Sequence, residues 1–186
     1  MAGEPTLGRP ERLPGDPALD SDAMIRVDQA GEYGAARIYA GQLAVMGNRH
    51  PFAREIARMA DQEKRHLAAF DRLATERGVR PTALQPLWHV AGFALGAATA
   101  LMGPRAAMAC TVAIETEIDR HYSEQREALA NDDPELRRHI EEFQADELEH
   151  RDTALEHEAE KAPLYPLLSA GIRAACRLAI AASKRV

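Results

Sequence analysis

The stretch Glu63-Lys-Arg-His66 recurs 84 positions later as Glu147-Leu-Glu-His150. Residues three apart lie on the same face of an α-helix, so each stretch can present a carboxylate and an imidazole to one metal ion. Apolar residues around both stretches recur at helical spacing, which predicts that the two pairs face the core. Because a buried carboxylate is costly unless it is hydrogen-bonded, protonated or metal-bound, the two pairs indicate a metal site inside a helical protein.

Two solitary glutamates extend this repeat. Glu32 lies 31 positions before Glu63, and Glu115 lies 32 positions before Glu147. The sequence therefore contains, twice, a helix with one inward glutamate followed by a helix with Glu-x-x-His. Glu117 competes with Glu115 for the inward position, and the repeat spacing favours Glu115. The pattern is the ligand set of ferritin-like bundles that bind two iron or two manganese ions, and the predicted ligands are Glu32, Glu63, His66, Glu115, Glu147 and His150.

Carboxylate and imidazole donors favour iron or manganese over structural zinc, which more often uses thiolates. The alternative interpretation is a set of buried helix-face ion pairs without a metal. Asp28 and Asp119 lie one turn from Glu32 and Glu115. Each is a candidate for orienting a ligand histidine, although a solvated acid or an ordinary helix partner is an equal alternative.

From residue 20 onward the chain has apolar residues at helical spacing and lacks β-branched runs, which predicts an all-α fold. Four long helices are expected to form the ferritin-like bundle, with the third and sixth helices added to it. The predicted helices cover residues 20–46, 52–77, 86–102, 104–130, 134–161 and 164–184. The proline-rich residues 1–19 are predicted to be a flexible tail outside the metal-binding domain of residues 20–186.

The composition limits the function further. The 186 residues carry a formal net charge of −6, which disfavours a nucleic-acid-binding protein. Only Cys110 and Cys176 are cysteines, so neither a disulfide framework nor a thiolate metal site is expected. Residues 1–19 resemble neither a secretory signal nor a transit peptide, which favours a bacterial-type cytoplasmic protein.

An uncharged segment occupies residues 81–104. Prolines and glycines leave only about 17 residues of it for a helix, roughly 25 Å and too short to cross a bilayer comfortably. Gly92 and Gly96 form a small face that permits close helix packing. The last helix combines apolar residues with Arg173, Arg177, Lys184 and Arg185. The uncharged segment is predicted to be embedded in one leaflet or buried, and the last helix to lie at an anionic membrane surface; the alternative is that both helices close an ordinary soluble core.

The other histidines carry weaker predictions. His50, His139 and His157 are expected at the surface, and His89 is expected to be hydrogen-bonded or at an interface. His121 and the adjacent Tyr122 lie beyond Glu115 on the same predicted helix and are candidates for relaying protons. A packed tyrosine beside a solvated histidine is an equal alternative.

The chain resembles the demethoxyubiquinone hydroxylases of ubiquinone biosynthesis over about residues 25–182. The resemblance is carried by Val27-Asp-Gln-Ala-Gly-Glu32-Tyr-Gly-Ala-Ala-Arg-Ile-Tyr39-Ala-Gly-Gln42, the Glu63/His66 pair, Pro86-Leu-Trp-His-Val-Ala-Gly-Phe-Ala-Leu-Gly96, Met108-Ala-Cys-Thr-Val-Ala-Ile-Glu115 and Asp146-Glu-Leu-Glu-His150. In that family, residues matching the six predicted ligands hold two irons. The tail lies outside the resemblance.

This resemblance implies hydroxylation of a polyprenylated benzoquinol ring by O2, with electrons from an external, NADH-derived reductant. It makes Trp88, His121 and Tyr122 candidates for contacting the ring or passing electrons and protons to the irons. It also implies peripheral association with the cytoplasmic face of the bacterial cell membrane and a helper protein that delivers the lipid. The alternatives are a ferritin-like ferroxidase or iron-storage protein and a non-enzymatic helical interaction module.

Overall fold

The computed structural model describes residues 20–47 and 50–186, and helices dominate these residues without any β-strand. The predicted tail at residues 1–19 lies outside the described residues. The helices are α1 (Ser21–Met46), α2 (Ala53–Arg77), α3 (Gln85–Leu101), α4 (Pro104–Leu129), α5 (Pro134–Glu156) and α6 (Tyr165–Ser183). The all-α prediction is confirmed.

Local signals in the sequence account for several helix ends. The side chain of Asp20 accepts a 2.9 Å hydrogen bond from the Ala23 amide and caps α1. Asp133 caps α5 in the same way through the Leu136 amide at 3.1 Å. Gly78 ends α2 in the left-handed conformation, with a φ of 68°, which glycine adopts without strain.

The fifth helix ends earlier than the sequence predicts. α5 stops at Glu156, and a short 3-10 helix follows at Ala159–Lys161, so the predicted end at residue 161 is wrong. Glu158, between them, adopts a left-handed conformation with a φ of 61°. No glycine or proline stands at residues 156–161 to signal this break.

The two halves of the chain, which carry the two copies of the ligand motif, pack in the same way. α1 packs against α2 and α3, and α4 packs against α5 and α6. Contacts of α1 with α4 and of α2 with α5 close the four-helix bundle. The apolar neighbours of the motifs, including Ile56, Met59, Phe70, Ile140 and Phe143, are buried in this bundle. The predicted ferritin-like architecture with two added helices is therefore confirmed.

α3 lies directly on the backbone of α1. A Cβ atom at Gly96 would overlap the carbonyl oxygen of Ile38, and one at Gly92 would lie 2.9 Å from the carbonyl oxygen of Gly34. The small face predicted for α3 therefore permits the close approach of the two helices.

The opposite face of α3 is uncovered. Leu87, Val90 and Leu101 are 54%, 66% and 76% exposed. α6 also exposes Leu167 and Leu178. Within the described part of the chain, no helix is both long enough and apolar enough to cross a membrane.

Candidate metal centre

The bundle brings the six predicted ligand side chains together from four helices. Each of them is at most 1% exposed. Their donor atoms form two overlapping groups, each within 4.8 Å: Glu32, Glu63, His66 and Glu147 in one, and Glu63, Glu115, Glu147 and His150 in the other. Glu63 and Glu147 belong to both groups. The arrangement offers two adjacent ion positions with two shared carboxylates.

Glu147 lies between the two histidines of the cluster. Its Oε1 atom is 3.0 Å from Nδ1 of His66, and its Oε2 atom is 3.1 Å from Nδ1 of His150. Nδ1 of His66 also lies 3.4 Å from Glu32, and Nδ1 of His150 lies 3.3 Å from Glu63. Both imidazoles therefore direct the same ring nitrogen toward the carboxylates.

Many donor atoms of the cluster make no hydrogen bond of acceptable geometry, although Nδ1 of His66 and Oε1 of Glu147 lie 3.0 Å apart. These buried atoms are Oε2 of Glu32, both oxygens of Glu63, Nδ1 of His66, Oε2 of Glu115 and Oε1 of Glu147. Buried polar atoms in folded proteins are normally hydrogen-bonded, so a convergent group without partners needs another source of compensation. Divalent cations bound by these oxygens and nitrogens would supply it, and the donor set suits iron or manganese.

The electrostatics of the cluster support the same conclusion. Burial and the neighbouring carboxylates raise the pKa of Glu63 and of Glu115 well above the usual range. Burial would lower the pKa of His66, but the carboxylates of Glu147 and Glu32 raise it to about 11. The pKa of Glu147 falls to about 2 because His150 and His66 outweigh the opposing effect of burial. Four carboxylates in a dry site strongly favour bound positive charge.

The outer nitrogen of each histidine is held from the opposite helix. Nε2 of His66 lies 2.9 Å from Oδ2 of Asp146, and Nε2 of His150 lies 3.1 Å from Oε1 of Gln62. Asp146 and Gln62 immediately precede the motif glutamates. Such contacts fix which ring nitrogen faces a metal. Neither residue was among the predicted site residues, although their equivalent places in the repeat are a usable signal.

Two tyrosines hold the solitary glutamates across the bundle. Tyr39 of α1 donates a 2.9 Å hydrogen bond to Oε1 of Glu115, and Tyr122 of α4 donates one to Oε1 of Glu32. Each tyrosine follows the solitary glutamate of its own helix by seven positions. Tyr122 was a predicted site residue, whereas Tyr39 was named only within the stretch that carries the family resemblance.

Neither aspartate proposed to orient a ligand histidine does so. Asp28 accepts a 2.8 Å hydrogen bond from Gln125 and lies 3.4 Å from His121. Asp119 accepts a 2.6 Å hydrogen bond from Gln144. Both aspartates lie one turn from a solitary glutamate, but these contacts direct them toward other partners.

Glu117, the competitor of Glu115, belongs to a separate ion cluster. Its side chain is fully buried and lies 2.7 Å from Arg173 and 2.8 Å from Arg177 of α6. Arg120 lies 3.0 Å from its other oxygen. The guanidinium groups outweigh the effect of burial and lower the pKa of Glu117. The choice of Glu115 for the inward position agrees with the structure.

The remaining histidines follow the predictions with one exception. His50 and His157 are partly exposed and contact the ring of Phe52. His89 is hydrogen-bonded, with Nδ1 2.6 Å from the hydroxyl of Tyr33. The surface prediction for His139 is wrong, because this residue is buried against Phe143.

An apolar pocket adjoins the cluster. It lies between α1, α3, α4 and α6, and its empty space, which extends into solvent at the mouth, is about 930 Å³. The three predicted relay or ring-contact residues, Trp88, His121 and Tyr122, all line it. Glu32 lines it as well, so one wall of the pocket is also part of the cluster. The apolar lining of this pocket suits an apolar organic ligand.

Residues 20–183 match the family model described as ubiquinone biosynthesis protein COQ7. The chain belongs to this family. The COQ7 match covers all six helices and leaves residues 1–19 outside.

Curated relatives agree with the COQ7 assignment. The 3-demethoxyubiquinol 3-hydroxylase of Rhodospirillum rubrum is 53% identical over 178 residues, which cover 95% of this chain and 84% of the relative. The mitochondrial NADPH-dependent 3-demethoxyubiquinone 3-hydroxylase of Homo sapiens is 53% identical over 169 residues, covering 89% and 77%. The mitochondrial 5-demethoxyubiquinone hydroxylase of Saccharomyces cerevisiae is 43% identical over 181 residues, covering 89% and 78%.

Proposed function

We propose that this protein hydroxylates the ring of a polyprenylated demethoxyquinol in ubiquinone biosynthesis, at a centre of two irons. The observation that carries the proposal is the wall shared by the cluster and the apolar pocket. Glu32 and Tyr122 line the pocket and are hydrogen-bonded to each other, and Glu32 is also part of the carboxylate cluster. A ring in the pocket would therefore lie beside the metal ligands.

The proposed metal ligands are Glu32, Glu63, His66, Glu115, Glu147 and His150. Glu63 and Glu147 would serve both ions, because each belongs to both groups of donor atoms. Asp146 and Gln62 would hold the two histidines, and Tyr39 and Tyr122 the two solitary glutamates. Two irons in this site would supply the activation of O2.

The pocket would bind the quinol ring and exclude water from it. Trp88, His121 and Tyr122 are proposed to contact the ring, and the hydroxyl of Tyr122 can pass a proton between the pocket and Glu32. One oxygen atom of O2 would enter the ring and the other would form water, with two electrons from an external reductant. A reduced nicotinamide nucleotide is the proposed electron source, since the human relative is named as NADPH-dependent.

The isoprenoid tail would stay in the membrane while the ring enters the protein. Residues of α3 and α6 line the pocket, and the exposed leucines and Val90 of these two helices can enter a lipid surface. We therefore propose peripheral association with the cytoplasmic face of a bacterial cell membrane. A lipid-delivering helper protein would bind the exposed face of α3.

Turnover of a synthetic demethoxyquinol tests the proposal. Iron-loaded protein, O2 and a reductant should yield a product one oxygen atom heavier by mass spectrometry, with label from ¹⁸O2. Glu63→Ala and His150→Ala should lose iron and product while keeping the helical circular dichroism spectrum. Glu149→Ala is the matched control, because Glu149 adjoins His150 but is exposed and pairs with Arg58. Iron oxidation without product would contradict the proposal and support a ferroxidase.

A further inference from the structure

The pocket contains one buried carboxylate that the metal centre does not use. Asp28 is 3% exposed and lies on the pocket wall. Its Oδ1 atom accepts a 2.8 Å hydrogen bond from Gln125, and Nε2 of His121 lies 3.4 Å from the same oxygen. Its Oδ2 atom is buried and has no hydrogen-bond partner. Asp28 thus presents a held carboxylate with one unsatisfied acceptor.

The other polar groups on the wall are already engaged. The indole N–H of Trp88 donates to the hydroxyl oxygen of Ser183 at 3.1 Å. Tyr122 donates to Glu32, whose other oxygen belongs to the carboxylate cluster. Most of the remaining lining is alanine, glycine, valine, leucine and isoleucine. An unpaired acceptor in such surroundings is costly, and a ligand hydroxyl would satisfy it.

The position of Asp28 along α1 would bring a ligand ring bound there close to Glu32. Asp28 lies four residues before Glu32 on α1, which is one turn and about 6 Å of helix rise. Residues four apart share a helix face. A ring hydroxyl held at Asp28 would therefore place the ring between this residue and the glutamate shared with the metal cluster.

We propose that Asp28 is a binding residue that accepts a hydrogen bond from a ring hydroxyl, and so selects the reduced quinol over the quinone. This inference rests on the proposed function and adds the residue by which the pocket distinguishes the quinol from the quinone. A quinol carries an O–H donor for Oδ2, whereas a quinone carbonyl offers only a second acceptor. Gln125 and His121 hold the carboxylate with the second oxygen left for the ligand.

The fluorescence of Trp88 can measure ligand binding in the pocket. Trp88 is the one tryptophan of the chain and lies on the pocket wall, so its fluorescence reports occupancy. The full chain, loaded with iron(II) under anaerobic conditions, is titrated with a demethoxyquinol bearing a two-isoprene tail. Parallel titrations use the matching quinone and the dimethyl ether of the quinol, which both lack the O–H donors. Absence of O2 prevents turnover.

The unaltered protein should bind the quinol at least about tenfold more tightly than the quinone, since the quinone would leave the buried acceptor of Asp28 unsatisfied. The dimethyl ether should bind as weakly as the quinone or more weakly. In Asp28→Asn, the preference for the quinol should disappear, because the amide can donate to a quinone carbonyl. Asp119→Asn, an acid of α4 that does not line the pocket, should keep the preference.

The outcomes separate this inference from the proposed function. Equal affinities of the unaltered protein for quinol and quinone overturn the role of Asp28, and this result needs no folded variant. A preference for the quinol that survives in Asp28→Asn also overturns the role of Asp28. Tight binding of the dimethyl ether, which has no O–H donor, would show that the preference is steric. If the unaltered protein binds none of the three ligands, the proposed function fails together with the inference. If hydroxylation proceeds without a quinol preference, only the inference fails.

Discussion

The two residues that hold the ligand histidines differ chemically although they occupy equivalent places in the repeat. Asp146 offers a carboxylate to His66, while Gln62 offers an amide oxygen to His150. The amide is itself oriented, since Arg58 donates a 3.0 Å hydrogen bond to the same Gln62 oxygen. A carboxylate partner makes an imidazole a stronger metal ligand than an amide partner does. The two halves of the proposed metal centre would therefore be chemically unequal.

Removing the carboxylate partner should weaken metal binding. Asp146→Ala is expected to lower the affinity for iron(II) by about 10- to 100-fold, because His66 loses the group that fixes its ring and raises its basicity. Gln62→Ala should have a smaller effect. Anaerobic competition against a chromophoric chelator measures both affinities.

The matched control is Asp61→Ala. Asp61 adjoins Gln62, but its side chain is 74% exposed and pairs with Lys64, one turn along the same helix. The affinity of the Asp61→Ala variant for iron(II) should equal that of the unaltered protein. An unchanged affinity in Asp146→Ala would contradict the orienting role.

At the scale of elements, the crossing of α1 and α3 depends on glycine. Gly41 of α1 and Gly96 of α3 lie where a Cβ atom would overlap backbone atoms of the other helix. Glycine inside a helix is unfavourable relative to alanine by roughly 0.5–1 kcal/mol. Close packing accounts for its presence here, and it keeps α3 beside the pocket that α3 helps to line.

Gly96→Ala should destabilise the protein, because the added methyl group must displace the backbone at Ile38. Overpacking of this kind costs about 1–3 kcal/mol, read from the midpoint of chemical denaturation. Gly171→Ala in α6 is the matched control, since a Cβ atom there meets nothing within 4 Å. It should raise the free energy of unfolding by up to about 1 kcal/mol. Equal destabilisation by both substitutions would contradict the packing argument.

The helices were predictable because their signals are local. Capping by Asp20 and Asp133 and the stop at Gly78 depend on nearby residues, and most predicted ends lie within a few residues of the observed ones. The end of α5 was not predictable, because Glu158 adopts a left-handed conformation that its residue type does not signal. The 3-10 helix that follows Glu158 packs against α4, a contact that the spacing within α5 does not reveal.

The same distinction applies to the site. Helical spacing and the repeat predicted which glutamates and histidines face inward, and the cluster contains all six. The partners of these residues cross between helices, as from Tyr39 to Glu115 and from Asp146 to His66. Spacing within one helix does not reveal which side chain of another helix lies opposite. His139 was misassigned for this reason, because its burial involves Arg72 of α2, whose guanidinium group lies 3.2 Å from Nε2 of His139.

At the scale of the whole molecule, the basic and apolar side chains of α3 and α6 form a surface that the sequence alone does not reveal. Arg173 and Arg177 were expected to attract an anionic membrane, and both contact the buried Glu117 while their side chains stay 43% and 47% exposed. The exposed basic residues at the end of α6 are Lys184 and Arg185. The contact between Trp88 and Ser183 joins this end of α6 to the beginning of α3, where Leu87 is exposed. Apolar and basic side chains therefore meet at one end of the pocket.

Binding to lipid vesicles should depend mainly on the apolar residues of that surface. Leu87→Asp with Val90→Asp is expected to weaken binding to both neutral and anionic vesicles by more than tenfold, because each apolar side chain contributes roughly 1.5–3 kcal/mol on burial. Lys184→Glu with Arg185→Glu should weaken binding to anionic vesicles only, since each basic residue contributes about 1 kcal/mol there.

Leu155→Asp on α5, which packs against α2 and α4, is the control and should bind normally. Co-sedimentation with vesicles measures all of these affinities at fixed ionic strength. Loss of binding to neutral vesicles in the charge variant, with normal binding in the apolar variant, would show that charge rather than apolar insertion holds the protein at the membrane.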